Sequence, residues 1–463
     1  MKKFDILIIG GGPGGYTAAI RAAQLGLTAG IVERDRLGGV CLNWGCIPTK
    51  ALLRNAEILQ MFKHAGEWGI TVDNLKYDFS KIIRRSRGIA ERVSKGVEYL
   101  MKKNKIETFR GTARITSPGT VEIAAEGKQP EKVAAKHIIV ATGARPKTLP
   151  GITPDRQRVI TSTEAMNLPK QPKSMVIIGA GAIGIEFAYF YNSLGTQVTV
   201  VEMMSSILPL EDRELTRMLE SNLRKQGIEI HTEATVETVK SNEGDVTVTV
   251  ALSDGKKELR ADTVLVATGV QGNVENMGLE RIGVAIERSQ IKVDEHYQTS
   301  VPGVYAIGDV IGPPWLAHVA SAEGIHCVEA IAGRNPEVID YTAIPGCTYC
   351  QPQLASVGLT EERAKDEGHE VKVGRFPFRP LGKAVAIGET DGMVKLIFDA
   401  KYGELLGAHI LGSEATEMIG ELVVAKRLET TAPQLFHAVH AHPTLGEAIM
   451  EAAAAAFGEA INI

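Results

Sequence analysis

The chain has 463 residues, 44% of them hydrophobic and 23% charged, which is too long for one hydrophobic core because such cores stop growing at roughly 250–300 residues. Lys and Arg number 51 against 55 Asp and Glu, a net charge of −4, so there is no basic field for nucleic acid or for an anionic membrane, and the hydrophobicity excludes disorder. A multidomain enzyme acting on small molecules is the class that remains.

In chain order, Phe4 to Ile9 reads as a buried strand, Gly10 to Gly15 as a glycine-rich turn, Tyr16 to Leu25 as an Ala-rich helix and Thr28 to Glu33 as a second strand. Asp5 and the early glycines leave no apolar stretch long enough for a secretory signal, so none is expected. Met175 to Ile178, Gly179-Ala180-Gly181-Ala182-Ile183-Gly184, Glu186 to Leu194 and Gln197 to Glu202 repeat the plan, with the closing glutamate at the same offset from the first glycine. Each half also holds a late strand running into Ala-Thr-Gly, at Ile138 to Gly143 and Val264 to Gly269. Two related nucleotide-binding domains are predicted.

The glycines have separate tasks in such a unit. Gly10 and Gly179 make the turn, Gly12 and Gly181 let backbone approach a pyrophosphate, and Gly15 and Gly184 let helix and strand pack. The helix N-terminus then stabilises the phosphate charge, and Glu33 and Glu202 would accept hydrogen bonds from ribose hydroxyls. Glu202 favours NAD over NADP, because a carboxylate repels a 2′-phosphate and Met203-Met204 offers no arginine instead.

Cys41-Leu42-Asn43-Trp44-Gly45-Cys46 is the sharpest local signal among five cysteines. Residues five apart in a regular helix lie roughly 8–9 Å apart by Cα, beyond the roughly 7 Å limit for a disulfide. The pair is either two packed core cysteines or a redox-active disulfide in a distorted first turn, with Gly38, Gly39 and Gly45 supplying conformational freedom. The nucleotide turn just upstream favours the second reading. Past Gly269, the segment Thr299 to Asp309 reads as turn, short strand and acidic turn. Beyond about Tyr341 come short strands (Ala355 to Leu359, Met393 to Phe398, Leu405 to Ile410) and helices (Glu414 to Leu428, Leu445 to Phe457), an α+β arrangement. His440-Ala441-His442-Pro443-Thr444-Leu445-Gly446-Glu447 offers a base and an orienting carboxylate, or a helix cap with exposed histidines. Its spacing is not that of H-E-x-x-H, and no metal is expected.

Together these motifs resemble the flavin-dependent pyridine nucleotide-disulfide oxidoreductases, and the resemblance runs from Phe4 to Ile463. It implies an α/β fold of two Rossmann-like dinucleotide-binding domains plus an α+β carboxy-terminal dimerisation domain. The expected limits are residues 1–147 for FAD, 148–270 for NAD, 271–340 for a central domain completing the FAD site and 341–463 for the dimer interface. Carried onto this chain, the resemblance gives Gly10, Gly12, Gly15 and Glu33 to the ADP half of FAD, with Ala113, Asp309 and Ala317 as further contacts. Gly179, Gly181, Gly184, Glu202 and Gly269 would hold NAD. Lys50 would sit by the flavin and pair with Glu186, Cys46 would be the thiolate against the flavin, and Cys41 would exchange with substrate. His442, oriented by Glu447, would be the base and would come from the partner subunit of a homodimer.

The implied reaction is oxidation of a dihydrolipoyl dithiol, through a Cys41–Cys46 disulfide and FAD, to NAD. The implied partners are the lipoyl domains and subunit-binding region of a 2-oxo acid dehydrogenase acyltransferase, or a glycine-cleavage carrier, in the cytoplasm, without nucleic acid and without membrane insertion. A glutathione-type reductase using NADPH is the alternative, and Glu202 counts against it. The chain departs from many relatives at Val270-Gln271, where they have an arginine. Cys347-Thr348-Tyr349-Cys350 is an additional C-x-x-C, most simply two reduced thiols, and Cys327 reads as a packed core residue.

Overall fold

At Gly10 and Gly179 the backbone turns with φ of +113° and +103°, which only glycine adopts without strain, and each turn ends a buried strand and opens a helix. In the computed structural model, which describes residues 1–462, the first such unit is β1 (Lys2–Ile9), α1 (Pro13–Gln24) and β2 (Ala29–Glu33). Its helix starts three residues before the sequence pattern suggested, at a proline whose missing N–H costs nothing in the first turn. Next come α2 (Gly39–Trp44), α3 (Cys46–Lys63) and α4 (Phe79–Lys103), the last capped by the Asp78 carboxylate, which accepts the Lys81 N–H. Strands β3 (Glu107–Arg110), β4 (Thr112–Ser117), β5 (Thr120–Ala124) and β6 (Glu131–Val140) complete a sheet ordered β3-β2-β1-β6-β5-β4, with Val304–Ala306 pairing parallel to β6.

The second unit is Ser174–Ile178, the helix Ala182–Ser193 and Gln197–Val201, in a five-stranded parallel sheet with Glu229–His231, Thr263–Val266 and Val159–Ile160. An antiparallel meander, Thr235–Ser241, Val246–Leu252 and Gly255–Ala261, is an addition that the repeat did not suggest. In both units the late strand stops short of Ala-Thr-Gly, at Val140 and Val266, so these motifs are loops at the strands' carboxyl ends, where ligands bind in open α/β sheets.

The carboxy-terminal region is a five-stranded antiparallel sheet ordered Gly346–Thr348, Gln353–Gly358, Leu405–Gly412, Met393–Asp399 and Val371–Pro377, packed on the helices Ala415–Arg427 and Glu447–Ala455. One core joins three parts of the chain. Leu52, Leu53 and Leu59 of α3 pack with Phe187, Phe190 and Tyr191 of the second unit and with Cys350 and Leu354. That shared core brings α3, the helix Ala182–Ser193 and the segment after Thr348 together. Among the described residues no helix is long and apolar enough to cross a membrane.

Candidate active site

The two glycine turns have matching geometry. A Cβ at Gly15 would lie 1.9 Å from the Gly10 carbonyl oxygen, and one at Gly184 would lie 2.0 Å from that of Gly179. The closing glutamates also match: Glu33 Oε2 accepts the Gly11 N–H at 2.7 Å, and Glu202 Oε2 accepts the Ala180 N–H at 2.7 Å. Glu33 Oε1 accepts the Asp35 N–H and Glu202 Oε1 the Met204 N–H, so each carboxylate also braces its turn. A carboxylate has about four acceptor positions, which leaves capacity for a ribose hydroxyl.

Both turns fit a dinucleotide. The middle glycines are free on the side where a Cβ would stand: Gly181 meets nothing within 4 Å and Gly12 only the Cα of Gly39 at 3.9 Å. Among the described residues the carboxylate of Asp309 accepts no hydrogen bond, and burial pushes it up to about 6. Asp309 lies in the turn Gly308–Ile311, which packs on the helix Ala317–Ile331. That helix begins at Ala317 without a side-chain cap, so its first N–H groups are left for a ligand. Ala113 sits buried in β4, paired with Ile123. In the second unit Gly269 has open space around it, and the neighbouring Thr268 Oγ1 is buried without a partner. Where Val270-Gln271 stand, the backbone forms a short strand against Ala144–Pro146, and Arg145 donates to Gly272 O and to Asn273 Oδ1.

Cys41 and Cys46 lie on separate helices. Gly38 (φ +98°) opens α2, and α2 ends at Gly45 (φ −152°, ψ −115°), beyond which Cys46 begins α3. The break removes the regular-helix spacing that would hold the sulfurs apart. Neither cysteine is bonded to another sulfur in the structure. The two thiols interact unequally: its contact with Cys46 raises Cys41, whereas the contact with Cys41, and then Lys50, holds Cys46 below the usual thiol range.

Lys50 Nζ donates to Glu186 Oε1 at 2.9 Å and to Oε2 at 3.0 Å. Glu186 is buried, a position that a carboxylate keeps only when paired. His442 and Glu447 flank Leu445, which packs with Ala448 and Ile449 in the carboxy-terminal core, whereas Cys41 packs against the core of the first unit. His442 Nδ1 meets Glu447 Oε1 at 2.8 Å, and the Thr444 N–H donates to Oε2 at 2.9 Å. Burial raises Glu447, but these bonds outweigh it and hold the carboxyl below its ordinary range. The ionised carboxylate can only accept, so Nδ1 carries the proton of that hydrogen bond; the side chain is 77% exposed. His440 is instead paired with Glu421, so the two histidines do not converge.

Several site neighbours left no sequence signal. Arg87 of α4 stacks on Trp44 and donates to Asn43 O, gripping the end of α2. Glu323, buried, accepts the Gly308 N–H at 2.6 Å and the Tyr341 hydroxyl at 2.7 Å, which fixes the turn that carries Asp309. Tyr349 donates its N–H to Glu186. Cys327 is fully buried, and Cys347 and Cys350 are free thiols packed on different cores.

The model of the pyridine nucleotide-disulphide oxidoreductase family matches residues 4–324, and that of its dimerisation domain matches residues 344–453. The chain belongs to that family. It is 50% identical to a dihydrolipoyl dehydrogenase of Rhizobium etli, over 100% of this chain and 99% of that one. It is 47% identical to a dihydrolipoyl dehydrogenase of Chlorobaculum tepidum, over 97% of this chain and 96% of that one. Among solved structures, LpdA from Mycobacterium tuberculosis superposes with a TM-score of 0.91 at 26% identity, covering 98% of this chain and 99% of that one. The protein is thus an oxidoreductase with a dimerisation domain, of a family that works with flavin and nicotinamide cofactors.

Proposed function

We propose that this enzyme is a dihydrolipoyl dehydrogenase that oxidises dihydrolipoyl groups with NAD, using FAD held by the first glycine turn, Glu33, Ala113, Asp309 and Ala317. NAD would lie on Gly179, Gly181, Gly184, Glu202 and Gly269. The observation that carries the reading is the helix break at Gly45, which brings Cys41 and Cys46 together at the start of the helix that also bears Lys50, in a chain alike over its whole length to dihydrolipoyl dehydrogenases. In the oxidised enzyme a dihydrolipoyl thiolate attacks Cys41 Sγ; the Cys41–Cys46 bond breaks and Cys46 leaves as the stabilised thiolate. The second substrate thiol then attacks the mixed disulfide, releasing cyclic lipoyl and the Cys41 thiol. His442 Nε2 takes the substrate proton, and Glu447 stabilises the imidazolium through Nδ1. His442, exposed on the carboxy-terminal domain, would act on the cysteines of the partner subunit in a cytoplasmic homodimer.

FAD supplies the two-electron acceptor between the dithiol and NAD. Glu202 carries the preference for NAD: both its oxygens are fixed by backbone N–H groups, which keeps a negative charge where a 2′-phosphate would sit. The lipoyl group is expected on an acyltransferase of a 2-oxo acid dehydrogenase complex or on a glycine-cleavage carrier. The test compares dihydrolipoamide with NAD against oxidised glutathione with NADPH on the purified holoenzyme. Turnover with the first pair at least ~100-fold above the second is expected, equivalent to roughly 2.7 kcal/mol of transition-state discrimination; the reverse preference would overturn the assignment.

A further inference from the structure

The ion pair Lys50–Glu186 joins three parts of the chain. Lys50 stands on α3 and Glu186 on the helix Ala182–Ser193, and the third member is Tyr349, from the turn after the strand Gly346–Thr348. Glu186 Oε1 accepts both the Lys50 ammonium, at 2.9 Å, and the Tyr349 N–H, at 3.1 Å. The Tyr349 ring lies over the same ammonium, with Nζ 4.1 Å from its centroid. An ammonium has three donors; two meet Glu186 oxygens, and the ring face stands over a further side, where a cation is attracted to the π system. The ring is itself held, because Cys350 is fully buried with its thiol donating to Pro352 O at 3.2 Å, and residues 346–348 pair with residues 354–356. Burial lifts the Cys347 thiol to about 11, so it stays neutral near pH 7 and does not compete with Glu186 for the lysine.

We propose that Tyr349 is a positioning residue of the redox site, fixing the direction of the Lys50 ammonium from the carboxy-terminal domain. The proposal rests on the role given above to Lys50. Without the ring the ammonium would keep its carboxylate partner but would lose the constraint on its direction. The backbone N–H bond to Glu186 survives any substitution, so a side-chain variant tests the ring alone.

The test uses holoenzyme carrying Y349F, Y349L, Y349M, K50M or the double change K50M/Y349L. The readouts are flavin content and the rate and amplitude of the long-wavelength thiolate–flavin absorption that appears on anaerobic addition of NADH. Expected results are flavin content as in the parent throughout, a Y349F response within about twofold of the parent, and a roughly tenfold slower response with reduced amplitude in Y349L and Y349M, a loss in the range of a cation–π contact. K50M should be slowed at least as much, and the double variant no further than K50M, since two residues acting through one ammonium are not additive. K50M slow with Y349L and Y349M at the parental rate would overturn the role of Tyr349 alone. K50M at the parental rate would remove the role of Lys50 and this proposal with it. Additive losses in the double variant, or loss of flavin from both Y349L and Y349M, would show that Tyr349 does not act through Lys50.

Discussion

The turn at Gly10 and the turn at Gly179 share a steric lock and a bracing glutamate, and they differ in what covers them. Around the first, α1 is packed by the helix Ala317–Ile331 so closely that a Cβ at Gly14 would meet Ala320 O at 2.9 Å and one at Gly324 would meet Gly14 O at 2.6 Å. The Cys41 segment closes another side, with Gly39 against Gly12. Around the second turn Gly181 is open, and Met203 and Met204 are exposed beside it. On the proposed function the same fingerprint would serve a cofactor enclosed by the fold and a cofactor that enters and leaves, with the surrounding helices deciding which.

The attachments of the two units differ as well. The first is joined to later chain by helix packing and by the strand Val304–Ala306, whereas Lys395 of the carboxy-terminal sheet reaches the second through ion pairs to Asp212 (2.8 Å) and Glu214 (3.0 Å), with Glu361 at 2.9 Å and Arg375 alongside. Breaking that attachment is the harshest test of the contrast. K395M would leave Asp212 buried and unpaired, and a loss of about 3–5 kcal/mol is expected, measured by denaturant unfolding of the holoenzyme; a change under ~1 kcal/mol would mean that the charges do not hold the unit.

Next in size are the matched substitutions G15A and G184A, each overpacking its turn by about 1–3 kcal/mol. G15A is expected to cost flavin content and stability, while G184A keeps the flavin and raises KM for NAD by roughly 5- to 150-fold. Flavin content and steady-state kinetics on both variants check this, and flavin lost equally from the two would erase the distinction. A pH-dependent effect concerns Asp309, which burial raises to about 6 from an ordinary 3.8. Between those values the folded protein retains a proton that the unfolded chain has released, so the stability of flavin-free protein falls as pH rises through that window and stays lower above it. D309N should remove this slope and stabilise flavin-free protein above pH 6 by on the order of 1–3 kcal/mol, while weakening flavin binding. Thermal unfolding across pH provides the measurement, and an unchanged slope would discount the burial of Asp309.

The sequence made the local parts of this molecule legible and left its joints dark. Gly10 to Glu33 and Gly179 to Glu202 are contiguous units whose strand, turn and helix follow from short-range sterics, and they stand where the repeat places them, with helices starting earlier at Pro13 and Ala182. The strands expected to reach Gly143 and Gly269 stop earlier, because hydrophobicity runs past the last paired residue into the loop. The long helix α4 could have been found from Asp78 and the apolar spacing Ile83, Ala90, Val97, Met101. Tyr349, Arg87, Glu323 and Lys395 had no such signal, since each acts on residues from another part of the chain and nothing in its own neighbourhood marks it. Glu186 was the exception: a carboxylate inside an apolar helix demands a partner, and Lys50 is there.

Lys50, Glu186 and Tyr349 lie on three segments far apart in the chain, yet they meet at one ammonium. Exchange of segments between related enzymes would separate them wherever a crossover falls between positions 50 and 349. Chimaeras that inherit all three from one parent should keep that contact, and those that mix parents would have to rebuild it from residues shaped by different histories.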